Sequence, residues 1–106
     1  MDLNTISISG NLVADALIKG INQSQSDILE VCKFRIASNH RKDTVLFVNC
    51  TIFGAYALKM VPYLTKGKKV IVTGRLEISS YKTDSQETRF STEIIATNVI
   101  LIGGKE

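Results

Sequence analysis

The stretch Thr44 to Gly54, TVLFVNCTIFG, decides the fold. Successive side chains of a strand point to opposite faces. Val45, Phe47, Asn49, Thr51 and Phe53 therefore share one face, and Leu46, Val48, Cys50 and Ile52 the other. The second row is wholly apolar and suits a core. The first sets two large aromatics beside an amide and a hydroxyl, an odd composition for a face meant only for water. Rings held on a semi-polar sheet surface serve to stack on the flat faces of unpaired bases. They serve equally to pack beneath a loop or in a subunit interface, and the strand alone leaves both uses open.

Upstream, the alternation of Val31 to Ser38 puts Cys32, Phe34 and Ile36 on one face, which assigns Phe34 to the core. Lys33 and Arg35 form a basic row on the other, beside the mixed face of the central strand. The connection Asn39 to Asp43, NHRKD, reads as an exposed, mobile hairpin loop whose His40 ring either stacks on a base or sits in water. Earlier still, Thr5 to Ile18 alternates Ile6 and Ile8 with Ser7 and Ser9, reaches Gly10 and resumes with Leu12 and Val13. That is the pattern of one long strand bent at a barrel corner. The polar run Asn22 to Asp27 has no periodicity and reads as a loop.

Downstream, AYALKMVPYLTKG switches to helical spacing. Pro62 lacks an amide hydrogen, so the regular helix is expected to end or kink near Val61, and Gly67 to stop the element. Lys68 to Ser79 alternates again, with Val70, Val72, Gly74, Leu76 and Ile78 on one side. Lys82 to Thr88 is a hairpin tip with Tyr81 at its base. The last strand, Arg89 to Ile102, carries apolar residues on both faces, which implies burial on both sides or a bend. Five strands with one short helix between the third and fourth make an all-β, five-stranded OB-fold barrel.

Length and composition bound the rest. The 106 residues suit a single domain spanning the chain, with enough apolar content (44%) to bury a core without metals or disulfides. Mean hydropathy is +0.12. No apolar run is long enough to span a bilayer, and the N-terminus lacks the order of a signal peptide, so a cytoplasmic location is expected. Cys32 and Cys50 fall on apolar strand positions and are expected to be buried and reduced. Charge is unevenly spread: Lys33 to Arg89 holds eleven Lys or Arg against four acids, while the segments on either side are net acidic. A basic centre suits a polyanion surface or, equally, ordinary solubility.

Catalytic chemistry finds no support. The single His40 has no Ser or Cys tied to it, the acids are scattered, and no phosphate-gripping glycine motif is present, so neither an enzyme nor a cofactor or metal is expected. Binding has more support. Phe47, Phe53 and Tyr81 are interleaved with Lys33, Arg35, Arg75, Lys82 and Arg89, which pairs stacking platforms with cations for phosphates.

The segments TISISGNL, VCKFRIASN, FVNCTIFG, YLTKGKKVIVTGRLEISSY and RFSTEIIATNVILIG together resemble the OB domain of bacterial single-stranded DNA-binding proteins. The likeness covers nearly the whole chain in order. It implies single-stranded DNA bound with little sequence specificity and protected during replication, recombination and repair, in the cytoplasm at the nucleoid. By it, Phe53 falls on a stacking position, and Phe47, His40 and Tyr81 on positions where family members often carry Trp, a residue this chain lacks. The resemblance also implies a homotetramer that wraps DNA around its outside. Members usually continue into a linker and an acidic tip that recruits replication and repair proteins; this sequence stops at Glu106, so recruitment through such a tail is not expected. Two neighbouring readings stand beside it: a dimeric primosomal replication protein that assists a helicase, and an OB module that binds protein through Phe47 and Phe53.

Overall fold

The alternating segments close into a ring. In the computed structural model, which describes residues 1–22 and 28–103, the order is β1 (Ile6–Leu12), β2 (Leu17–Asn22), β3 (Ile28–Arg41), β4 (Thr44–Phe53), α1 (Ala55–Met60), a 3-10 turn (Val61–Tyr63), β5 (Lys69–Lys82) and β6 (Thr88–Ile102). β1 pairs antiparallel with β5, β5 with β6, and β6 runs parallel to β4. β4 pairs with β3, which returns to β1 through Asn11 opposite Ala37 and Leu12 opposite Ile36. Five strands thus close on themselves with the helix between β4 and β5, the OB-fold arrangement expected from the sequence. β2 lies outside the ring on β3.

The inward rows match the alternation. Cys32, Ile36, Cys50, Ile52, Val70, Val72 and Ile94 are fully buried, and Phe34 lies among them. Both cysteines are free thiols. Ala57, Met60 and Leu64 close one end of this core from α1 and the turn that follows it. Pro62 stands in the 3-10 turn, where its missing amide hydrogen leaves no helical bond broken. Tyr56 is fixed from its polar end, its hydroxyl oxygen accepting from the Val99 amide at 2.8 Å.

Two expectations change. Residues 5–18 are two strands rather than one bent strand. Between β1 and β2, Val13 N donates to Arg35 O at 3.0 Å, Ala16 N to Leu64 O at 2.9 Å, and the Asp15 carboxylate accepts from Lys66 N at 2.8 Å. The backbone there finds partners in β3 and in the segment after the 3-10 turn, so the ladder is interrupted. The hairpin after β3 is tighter than a five-residue loop: β3 runs through Arg41 and the register slips between Asn39 and Arg41, leaving His40 as an unpaired, exposed bulge residue. The loop expected over 22–27 lies outside the described residues, except that Asn22 ends β2.

The mixed faces of the last strand have a specific cause. Thr73 stands opposite Asn98 but Gly74 opposite Ala96, so Thr97 is an extra residue in β6. Such a bulge shifts the inward row by one. Ile94 and Ala96 before it and Val99 after it all face the core. Ile95 is also buried, on the outward side, so both ideas drawn from the sequence hold. Gly74 makes the bulge possible: a Cβ there would sit inside the van der Waals shell of the Ile95 carbonyl oxygen.

Candidate nucleic-acid interface

β4 and β6 are joined for only three residues, Asn49, Thr51 and the Cys50 between them meeting Glu93, Ile95 and Ile94. Residues 44–48 pair only with β3 and residues 88–92 only with β5. Because β4 and β6 are parallel, the β3–β4 and β5–β6 hairpins leave the ring in the same direction as two arms.

Paired residues share a face, so register alone gathers the candidate residues. One outward row reads Leu17, Lys33, Thr51, Ile95, Arg75 across β2, β3, β4, β6 and β5; the next reads Arg35, Asn49, Glu93, Glu77. Phe47 follows on one arm, opposite Ala37, and Tyr81 with Arg89 lie opposite each other on the other arm. Phe53 ends the row near the helix, opposite Val31. The three rings are accessible: Phe47 is 57% exposed, Tyr81 53% and Phe53 39%. Of the two uses the sequence leaves open for Phe47 and Phe53, burial within this chain is excluded. The same arrangement puts Lys33, Arg35, Arg75 and Arg89 on the aromatic face. Alternation sends Lys82 to the opposite side of its arm from Tyr81, and His40 stands at the tip of the other arm.

Electrostatics within this face are more balanced than the sequence implies. Arg75 pairs with Glu77 at 3.1 Å, Arg89 with Glu87 at 3.0 Å and Lys33 with Glu93 at 3.7 Å. All three pairs are open to water, where such contacts contribute little to folding. The Arg35 guanidinium instead lies over the Phe47 ring, 4.9 Å from its centroid. Glu93 also accepts a hydrogen bond of 2.8 Å from the hydroxyl of Thr51, which is only 1% exposed. Burial, with the nearby Glu93 charge added, pushes the Cys50 thiol up to about 12. Burial alone raises Cys32.

Some features were missed by sequence reasoning. Glu93 sits in the middle of the face, a position visible only once Arg89, Ser91, Glu93 and Ile95 are read as one outward row. Leu76, Ile78 and Phe90 were read as inward or left unassigned, yet all are exposed, Phe90 at 70%. They continue the inward row of β5 and β6 along an arm that has left the core behind. Among the described residues no group of His, Cys, Asp or Glu is placed to hold a metal ion. No helix among them is long and apolar enough to cross a membrane.

The profile of the Single-strand binding protein family matches residues 3–102. The chain belongs to that family. Among single-strand binding relatives, the Single-stranded DNA-binding protein of Onion yellows phytoplasma (strain OY-M) is 37% identical over 97% of both chains. The Single-stranded DNA-binding protein of Treponema pallidum (strain Nichols) is 32% identical over 96% of this chain, which spans only 59% of that longer relative. A Plasmodium falciparum SSB, solved in complex with ssDNA, superposes with a TM-score of 0.81 over 97% of both chains at 21% identity, a likeness of fold.

Proposed function

We propose that this single-strand binding family member binds single-stranded DNA with little sequence specificity, by base stacking and phosphate contacts, and so protects it during replication, recombination and repair. One observation carries the reading: Phe47, Phe53 and Tyr81 are exposed on the same face as Lys33, Arg35, Arg75 and Arg89, brought together by strand register. Stacking platforms accept any base, and the cations track the backbone. Duplex DNA hides its base faces, so the same surface discriminates against it. Titration with a fluorescently labelled oligo-dT against a duplex of equal length tests this: tight binding to the single strand alone supports it, and equal affinity for both sinks the stacking mechanism.

The working form in this reading is a homotetramer. The outward side of β5 and β6 away from the arms carries Ile71 opposite Ile100, and Ile100 remains exposed, apolar surface that one copy leaves open to water. Light scattering on the purified chain tests the assembly, and a stable monomer would refute it. Work on single strands sets the protein at the nucleoid, in the cytoplasm.

A further inference from the structure

Past the ring, the β5–β6 arm is a ribbon two strands wide with water on both sides: residues 78–82 and 88–92 are all exposed. Alternation divides them. Ser79, Tyr81, Arg89 and Ser91 stand on the aromatic face, while Ile78, Ser80, Lys82, Thr88, Phe90 and Thr92 stand on the back. That back face continues the core row of Ile94, and exposure climbs along it from 37% at Leu76 to 60% at Ile78 and 70% at Phe90. A ring so far out holds no core together. Lys82, its diagonal neighbour across the ribbon, pairs with no acid among the described residues, whereas Arg75 and Arg89 on the front are both paired. Between the two faces runs an open edge. Residues 88–92 of β6 pair only with β5 among the described residues, so the amides that point away from β5 have no strand to meet.

We propose that the bound single strand crosses this edge and wraps the arm, Phe90 stacking a base on the back face and Lys82 taking an adjoining phosphate. The inference rests on the single-strand reading above and extends its path to a fourth ring. Arg89 and Phe90 are consecutive, so a strand held by Arg89 has only one β-strand's backbone to round before it reaches the ring. Phosphates that round it meet free amide donors. A ring beside an unpaired cation suits a nucleotide, one part for the base and the other for the backbone. A protein partner fits less well: about 10 Å wide and about 20 Å long, the back face offers on the order of 200 Å², against the roughly 800 Å² that each side of a stable protein interface buries.

The test replaces Phe90 and Lys82 in the parent chain and titrates each variant with labelled oligo-dT. F90L keeps an apolar side chain without a ring to stack and should weaken binding about tenfold, while F90Y should bind as the parent does. F90W puts a tryptophan into a chain that has none, and saturating oligo-dT should quench its emission as a base covers the indole. K82Q should flatten the slope of log affinity against log salt by about 0.7. Melting temperature should stay with the parent's in all four, because both side chains already stand in water. Parent-like binding by F90L, F90W emission unmoved by saturating DNA, or a parent-like salt slope for K82Q each overturns the proposal. So does a smaller particle for F90S in light scattering, which would give the back face to a second copy of the chain. A parent chain that binds no oligo-dT overturns the single-strand reading itself, and this proposal with it.

Discussion

Arg35 reaches Phe47 diagonally: Ala37, not Arg35, stands directly opposite the ring, and the small side chain leaves room for the guanidinium to lie over it, 4.9 Å from the centroid. The proposed phosphate contact and the proposed stacking platform are thereby coupled in one unit. Phe47→Ala is expected to weaken oligo-dT binding by about 1–3 kcal/mol with little change in melting temperature, because the ring is already exposed. Tyr81→Ala should behave alike. In a double-mutant cycle, Arg35→Ala and Phe47→Ala should cost less together than the sum of the two, by about 0.5–1 kcal/mol, read from four oligo-dT titrations.

Ile52, one residue from Phe53 and facing the other way, is fully buried. Ile52→Ala should lower unfolding free energy by about 2–5 kcal/mol, measured by urea denaturation, while the folded protein keeps its DNA affinity. Aromatic variants that melt early yet bind normally would instead mean that the outward face does not touch DNA.

Salt dependence should follow the cations of the outward face. For single strands the slope of log affinity against log salt falls by about 0.7 for each phosphate neutralised. Arg35→Gln and Arg89→Gln should each flatten the slope by about that amount, whereas Lys59→Gln, on α1, should leave it unchanged. A slope indifferent to all three would remove the cations from the mechanism.

Alkaline pH should destabilise the fold through Cys50. Its thiol is raised from 9.0 to about 12 in the folded chain, so between those values the folded state holds a proton the unfolded state has released. Stability is fully present below about 9 and falls as pH rises toward 12. Melting temperature in a pH series should drop across that window, and Cys50→Ala should drop less steeply. Below it, a maleimide should label the folded chain only as fast as the chain opens, because the thiolate is the nucleophile.

What could be read from residues alone was whatever repeats locally. The alternation from Val45 to Phe53 put Cys50 and Ile52 inside and Phe47 and Phe53 outside, although Leu46 of the inward row is exposed on the arm and Thr51 of the outward row is buried, and Pro62 marked where α1 gives way to a 3-10 turn. What escaped was set by distant partners. Residues 13–16 look strand-like, but the carbonyls of Arg35 and Leu64 take their amides. Leu76 and Ile78 follow the same period as Val70 and Val72, and nothing local says where along β5 the core ends. Glu93 joined the candidate site through a parallel pairing with β4 that no hairpin pattern announces.

That three-residue pairing also sets how the molecule moves. Past Asn49 and Glu93 β4 and β6 no longer bond each other, and beyond Ile36 and Ala37, which β1 also holds, each arm keeps only its own hairpin hydrogen bonds, so its outer part can fray without opening the ring, and local opening there is cheaper than global unfolding. Amide exchange should therefore divide β4 in two, with residues 44–48 exchanging faster than 50–52, and residues 88–92 of β6 should join the fast class. A bound strand spanning both arms would slow these same amides first. The ring is thereby the rigid part of the fold, and each arm opens on its own.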